Sequence, residues 1–438
     1  MSDDNLRILI IAEHASLNFG GEAALPLHYF RFLRRRGVET WLVIHERTRS
    51  ELESLFSEDI DRIYFIKDTF WHRLIWQGSK LLPKRVSYFT FGLMLRLLTQ
   101  IMQRTLSKNL IQEKNINLIH QPIPVSPKEP SLIFDLGVPV VFGPMNGGMN
   151  YPPSFQYLES KLVKLTVESG RLFAILINTL LPGKLKANVL LVANSRTQKA
   201  LPEGVQGKII ELVENGVDLS VWNPQITILN QPEQKTKKET EFVFVGRLVD
   251  WKAVDLLLIA FKEVTATVSA KLTIIGDGSE RNNLEAQAQN LGLGLTQTDL
   301  EPSNNKVYFT GWMSQVKCAE KLKSANVLVL PSLYECGGAV VLEAMAMALP
   351  VIATNWGGPA DYLDETCGIV VEPTSREAFI NNLAQAMIRL AQSPEERKRM
   401  GEAGRLKVIN YYDWERKIDR ILEIYQHTIT DYTKTCKS

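Results

Sequence analysis

Residues 331–363 read PSLYECGGAVVLEAMAMALPVIATNWGGPADYL. The apolar run Val327–Leu330 leads into Pro331 as a strand, a loop carries Glu335, and Gly337 and Gly338 open a helix that bears Glu343. A second strand follows at Val351–Ala353. Two short strands joined by a helix make a βαβ unit, and that crossover requires the strands to run parallel. Glycine in the loop lets backbone N–H groups come close to a ligand, and the helix N-terminus behind it favours an anion. Glu343 stands eight residues after Glu335. A carboxylate there can accept hydrogen bonds from both vicinal hydroxyls of a ribose, as acidic residues do in dinucleotide folds. Two isolated glutamates would be solvated acids and nothing more. Framed by a Gly-rich strand, loop and helix, they mark a site.

The same alternation extends in both directions. Upstream, strands are predicted at Arg7–Ala12, Thr40–His45, Arg62–Ile66, Asn117–His120, Val138–Phe142, Val189–Ala193 and Ile209–Val213. In the second half they are predicted at Glu241–Val245, Lys271–Ile275, Lys306–Thr310, Val327–Leu330, Val351–Ala353 and Gly368–Val371. Helix-length amphipathic segments separate them, so the fold class is α/β, with two doubly wound, Rossmann-like domains. The expected division is 1–214, 215–409, and a C-terminal piece at 410–438. The polar stretch Asn230–Thr240, NQPEQKTKKET, reads as an exposed connection or loop. In Tyr411–Gln426, Asp413 is a plausible N-cap, and Trp414, Ile418, Ile421, Leu422 and Tyr425 form an apolar stripe that needs a groove to lie in.

Two further elements sit at strand ends in the second half. Gly246-Arg247 close one strand, and Lys252 precedes a helix. Two cations beside the carboxyl end of a strand suit a diphosphate and would neutralise charge on a leaving group. Read alone, they are two surface cations at a helix start. Gly276-Asp277-Gly278 make a glycine turn after the next strand, without the full G-x-G-x-x-G spacing of a nicotinamide or flavin enzyme.

Totals narrow the class. The chain has 438 residues and a net charge of +2, which does not point to nucleic acid as a partner. Residues 1–200 carry 25 Lys and Arg against 17 Asp and Glu, so the excess positive charge is in the first half. Cys318, Cys336, Cys367 and Cys436 are scattered, with no ligand spacing for zinc, and fit a reducing, cytoplasmic compartment. Arg7–Ala15 is read as a buried strand and not a signal peptide. The apolar run Leu172–Leu181 is far short of the roughly 20 residues of a membrane span. Asp59-Ile60-Asp61 has the spelling of a D-x-D metal motif but is taken as chance, and no metal or other cofactor is expected.

These motifs resemble the retaining glycosyltransferases with the GT-B fold, the "glycosyl transferases group 1" type. The carriers are Gly246-Arg247 with Lys252, Gly276-Asp277-Gly278, Gly311, and Glu335 with Glu343. Asn215–Pro224 (NGVDLSVWNP) and the terminal helix add to them, so the likeness covers most of residues 190–428. It implies two domains facing across a cleft, with the last helix crossing back to the first. It further implies that Arg247 and Lys252 bind the phosphates of a nucleotide-sugar. Glu343 would hold the ribose and Glu335 the transferred sugar, and the backbone at Gly337 and Gly338 would touch sugar or phosphate. Gly20 and Gly21 stand where the family has a glycine turn toward the donor.

Family members often carry a His just after the strand read here as Val138–Phe142. This chain has Gly143-Pro144-Met145-Asn146 there, so that catalytic His is not carried over. His120 and Asn146 are candidate contacts to sugar or acceptor, with a structural strand-end role as the alternative for His120. The expected reaction is transfer of a hexose from a UDP- or GDP-type donor to a hydroxyl of a glycan or lipid-linked acceptor, in polysaccharide or glycolipid synthesis. Rival readings on a similar fold are a sugar-nucleotide epimerase, a phosphorylase and a non-catalytic nucleotide-sugar-binding protein. Between Arg62 and Lys108, nine Lys and Arg face one acid, Asp68, among Trp71, Trp76, Tyr88, Phe89, Phe91 and Leu93. Lys161–Lys186 is similar. Two readings stand: helical hairpins packed on the first sheet with basic outer faces, or a surface for peripheral contact with anionic lipid.

Overall fold

The computed structural model describes residues 6–81, 87, 90–158, 177–224, 239–296 and 306–436. Most of the expected connection Asn230–Thr240, Tyr88 and Phe89, and the larger part of the basic segment Lys161–Lys186 lie outside the described residues. Two compact units emerge. One comprises Met1–Gly148, Lys164–Asn215 and Lys417–Ser438; the other comprises Met149–Val163 and Gly216–Arg416. Apart from the short segment Met149–Val163, the chain passes from the first unit to the second at Asn215/Gly216. The last falls inside the helix Trp414–Thr435, later than the expected 409/410.

In the first unit a seven-stranded sheet has the order β3-β2-β1-β4-β5-β6-β7. Its strands are β1 (Arg7–Ile11), β2 (Glu39–His45), β3 (Ile63–Ile66), β4 (Leu118–Gln121), β5 (Val140–Met145), β6 (Val189–Val192) and β7 (Lys208–Glu211). Every pair is parallel. The central strands are apolar on both faces because helices cover both. Ile8, Leu9, Ile10 and Ile11 have no exposed surface. Leu9, Ile11, Val43, Ile119, Phe142 and Leu190 join one core, each side chain worth about 1.5–3 kcal/mol of burial.

The second unit repeats the plan with the order β10-β11-β9-β8-β12-β13-β14. Here the strands are β8 (Thr240–Val245), β9 (Ala270–Ile275), β10 (Gly294–Thr296), β11 (Lys306–Gly311), β12 (Val327–Leu330), β13 (Val351–Thr354) and β14 (Gly368–Val371). They are again parallel. Only β10 has no counterpart in the expected strands: three residues at a sheet edge, opened by a glycine, carry no apolar run to detect.

In each sheet the winding reverses between one pair of neighbours, β1/β4 in the first and β8/β12 in the second. Loops leaving two adjacent strands there go to opposite faces, which opens a crevice at the strands' carboxyl ends. Among the described residues no helix is long and apolar enough to cross a membrane.

Candidate active site

At the β8/β12 reversal, the loops that follow the two strands are joined by backbone and by charge. After β8 comes Gly246-Arg247, then a tight turn at Asp250–Lys252, then the helix Val254–Thr267. The Leu333 N–H, in the loop after β12, donates to the Trp251 carbonyl at 2.9 Å. That contact sets the two loops side by side. Lys252 Nζ forms an ion pair with Glu335 Oε2. The side chains are 13% and 18% exposed, so the pair is partly shielded from water and stronger than a surface pair. A Cβ on Gly246 would crowd the Phe244 ring at 3.2 Å and touch Lys252 Cε at an ordinary 3.7 Å.

The predicted glycines divide by what they approach. Gly276, with φ +137°, lies against Gly246, whose carbonyl oxygen a side chain at 276 would overlap. The Gly276 N–H donates to the Gly311 carbonyl at 2.9 Å, so three strand ends, those of β8, β9 and β11, meet main chain to main chain. Gly278 is held against the Leu248 carbonyl in the same way. Gly338, with φ +77°, precedes the helix Ala339–Ala346, and a Cβ on it would meet Glu335 Cγ at 3.1 Å. Gly337 lies beside it in the same loop.

A second glycine pair, not singled out in the sequence, fixes this loop. The Gly358 N–H donates to the Glu335 carbonyl at 2.9 Å. A Cβ on Gly357 would overlap the Glu335 carbonyl, and one on Gly358 those of Cys336 and Gly337. Its signal was the Trp356-Gly357-Gly358-Pro359 run after β13, where Gly-Gly-Pro opens the short helix Gly358–Tyr362.

Glu343 sits half-buried on the helix Ala339–Ala346, and burial pushes its carboxyl up to about 7. Cys318, from the helix Gln315–Ser324, is held protonated by its burial and by the Glu343 charge, with its thiol pushed up to about 12. Arg247 is exposed at the end of β8. The structure therefore joins Lys252 to Glu335 directly. Arg247 stands on the same strand end as the Lys252 turn, and Glu343 follows the Glu335 loop.

In the first unit, Gly20 (φ +105°) precedes the helix Gly21–Arg35, and both glycines are exposed with open space around them. His120 is different. It has no exposed surface, its Nε2 lies 2.6 Å from the Gly143 carbonyl, and its Nδ1 lies 2.6 Å from the Tyr425 hydroxyl. Burial depresses its pKa to about 4, so the ring is neutral. Both ring nitrogens are thus engaged within the protein, as the strand-end alternative expects. Asn146 is also buried, donating from Nδ2 to Glu214 Oε1 at 2.8 Å.

Among the described residues, His45, Asp68 and His72 could present metal-ligating atoms within 4.8 Å of one another. His45 Nε2 faces Asp68 Oδ1 at 3.2 Å, and the other ring nitrogens are engaged within the protein. His45 Nδ1 accepts from the Arg47 N–H at 3.3 Å, and His72 Nδ1 accepts from the Thr69 N–H at 3.2 Å. His72 Nε2 lies 3.1 Å from Thr99 Oγ1, and Arg47 pairs with Asp68 at 3.1 Å. A cation on the carboxylate and hydrogen bonds on the rings make this a structural network.

Residues 225–407 match the family described as glycosyl transferases group 1. An uncharacterized glycosyltransferase of Methanocaldococcus jannaschii is 30% identical over 189 residues, 43% of this chain and 45% of that protein. A UDP-Gal:alpha-D-GlcNAc-diphosphoundecaprenol alpha-1,3-galactosyltransferase of Escherichia coli is 27% identical over 302 residues, 66% of this chain and 69% of that protein. The chain spans about half the length of the first curated relatives it matches. A crystal structure of a glycosyltransferase from Rickettsia africae superposes with a TM-score of 0.63 at 17% identity, covering 97% of this chain and 99% of that one. The fold is GT-B.

Proposed function

We propose that the chain, whose residues 225–407 match the glycosyl transferases group 1 family, is a retaining glycosyltransferase. It would move a hexose from a UDP- or GDP-type nucleotide-sugar to a hydroxyl of a glycan or lipid-linked acceptor. The observation that carries this reading is the Lys252–Glu335 pair at the β8/β12 reversal, where open parallel sheets bind nucleotides. When donor enters, Lys252 turns to the diphosphate and Glu335 to the sugar hydroxyls, so each charge exchanges its partner for one on the substrate. Arg247 adds a second cation. Glu343 accepts from the ribose hydroxyls.

In the reaction the bond between the anomeric carbon and the diphosphate oxygen breaks. The acceptor oxygen bonds to that carbon on the same face, and its proton passes to the departing diphosphate. Lys252 and Arg247 stabilise the charge that collects there. With two cations in that role, the reaction is proposed to need no metal. The Escherichia coli relative, which is named for UDP-Gal and a diphosphoundecaprenol-linked acceptor, supports a UDP-linked hexose and a lipid-linked acceptor, and polysaccharide or glycolipid synthesis is the setting proposed with them.

A cytoplasmic protein with peripheral membrane contact fits the same acceptor. On and just after the helix Phe70–Ser79, Phe70, Trp71, Trp76 and Leu81 are 66%, 60%, 54% and 86% exposed, with Arg73 and Lys80 among them. Apolar side chains flanked by cations suit an anionic bilayer surface. The decisive experiment is a panel of UDP-, GDP- and ADP-hexoses. Hydrolysis or thermal stabilisation by a UDP- or GDP-hexose, undiminished by EDTA, supports the reading. No response to any nucleotide-sugar removes it.

A further inference from the structure

After β5 the chain joins the second unit for a short run, Met149–Val163, before it returns to the first. Residues 149–158 of that run read MNYPPSFQYL and lie along the second unit as a strap. Phe155 is its anchor. The ring has no exposed surface and meets the Phe379 ring edge-on at 6.0 Å, on the helix Arg376–Gln392. Beside it, Ser154 Oγ donates to the Thr374 carbonyl. Pro152 and Pro153 precede the anchor, and each fixes its own φ, so residues 149–151 are carried on a stiff support.

Those three residues rest on the loops after β12 and β13 that shape the candidate active site. The Trp356 Nε1–H donates to the Asn150 carbonyl at 2.8 Å, and the Tyr334 hydroxyl donates to the Met149 carbonyl at 3.4 Å. The Tyr151 and Tyr334 rings lie 5.3 Å apart at 40°. A Cβ on Gly357 would stand 2.5 Å from Met149 Sδ and 2.3 Å from the Glu335 carbonyl oxygen. The thioether and the Glu335 main chain therefore flank one α-carbon. Tyr334 immediately precedes Glu335, and the Gly358 N–H holds the Glu335 carbonyl. The strap thus grips the Glu335 loop through the residue before it and through the glycine pair behind it.

Tyr334 is 37% exposed and Trp356 is half-buried. Each has its polar tip tied to a strap carbonyl, which fixes a direction that partial burial alone does not. The strap bears on the loops after β12 and β13, whereas Arg247 and Lys252 follow β8. Its influence is therefore directed at the sugar end of the site rather than at the phosphate end.

We propose that the strap is a positioning element for the transfer reaction. Through Tyr334 and Trp356 it aims the Glu335 carboxylate at the hydroxyls of the transferred sugar, and so sets how sharply one hexose is preferred to another. Hexose epimers differ only in the direction of one hydroxyl, so a carboxylate separates them only while its own direction is held. The proposal rests on the glycosyl-transfer reading above and adds the residues that govern the choice of sugar. Tyr334 and Trp356 act through Glu335 and are positioning residues.

The test uses the full chain, with UDP-glucose, UDP-galactose and GDP-mannose as donors and with UDP and GDP as probes of the phosphate end. Nucleotide release as kcat and KM, calorimetric affinity for the two nucleoside diphosphates, and melting midpoints are read on the parent. The same readings are taken on the double variant Tyr334→Phe with Trp356→Phe, which keeps an aromatic ring at both positions and removes both hydrogen-bond donors. Expected are a fall in kcat of about tenfold and a preference between hexoses narrowed about threefold or more, with nucleoside diphosphate affinity within about twofold of the parent. Parent-like kcat and hexose preference in the folded double variant overturn the proposal. So does an equal fall in kcat and nucleoside diphosphate affinity, which is the mark of a loop that has only loosened. If the double variant does not fold, Met149→Ala, which removes the thioether beside Gly357 and keeps the main chain, decides by the same readings. A parent protein that releases nucleotide from none of the three donors removes the glycosyl-transfer reading and the strap's role with it. A parent that turns over while the variant matches it removes the strap's role alone.

Discussion

Lys252 and Glu335 are 83 residues apart in the chain, and their side chains meet in an ion pair at the carboxyl ends of two adjacent strands. The contact holds both side chains at those strand ends. A nucleotide-sugar has complementary groups for both, a diphosphate for the ammonium and hydroxyls for the carboxylate. On the proposed function, the pair is a placeholder that donor displaces at modest cost, because a new partner replaces each lost one.

Removing either member separates turnover from folding. Lys252→Ala and Glu335→Gln should each lower nucleotide release by about a hundredfold or more, the scale of losing one electrostatic contact to developing charge. Lys252→Ala should also cost about 1–3 kcal/mol by leaving Glu335 without its cation in a partly buried place. Stopped assays and urea melts on both variants check this. Parent-like turnover in a folded Lys252→Ala protein would remove the phosphate role.

Glu343 gives a pH signature. Its carboxyl is raised from 4.5 to about 7 by burial, so the folded state holds a proton that the unfolded chain has released. Stability from this group is present below about 4.5 and is lost as pH rises through about 7. Ribose hydroxyls need the ionised form as acceptor, so donor affinity should rise over the same interval. Calorimetric titration at pH 6 and pH 8 should show tighter binding at pH 8 in the parent, and Glu343→Gln should flatten that dependence.

Glycine positions should part sharply in stability. Gly21→Ala opens a helix in free space with an ordinary φ and should change stability by no more than about 0.5 kcal/mol. Gly276→Ala forces a side chain into the Gly246 carbonyl at φ +137° and should cost about 3 kcal/mol or prevent folding of the second unit. Thermal melts compare them directly.

His120→Phe should lower stability by about 2 kcal/mol or more, since the Tyr425 hydroxyl and the Gly143 carbonyl both lose a partner in a dry place. Turnover per folded molecule should stay near the parent value. A collapse of turnover with an unchanged melt would return His120 to the reaction.

Vesicle binding tests the exposed aromatic helix. Co-sedimentation with phosphatidylglycerol vesicles should exceed that with phosphatidylcholine and weaken with salt. Trp71→Ala with Trp76→Ala should reduce it by about tenfold. Equal binding by the double variant would leave these residues without a membrane role.

The sheets were readable from the sequence because buried parallel strands are continuous apolar runs, and Val327–Leu330 or Val189–Val192 admit no other use. Gly246 was readable because it closes such a run, and Lys252 and Glu335 because they stand in the loops that follow two of them. The strap at residues 149–151 was not. It has no apolar period, and nothing local says that Met149 and Asn150 meet Tyr334 and Trp356, 185 and 206 residues away. His120 was ambiguous for the same reason: its role is set by Tyr425, 305 residues away.

Where β8, β9 and β11 end, carbonyl oxygens and amide groups of Gly246, Gly276 and Gly311 interlock with no side chain between them. Anyone wishing to re-address this protein to another sugar inherits that geometry as fixed type. Arg247 is exposed immediately beside it. A substitution at Arg247 leaves that backbone platform in place, whereas any side chain at Gly276 breaks it.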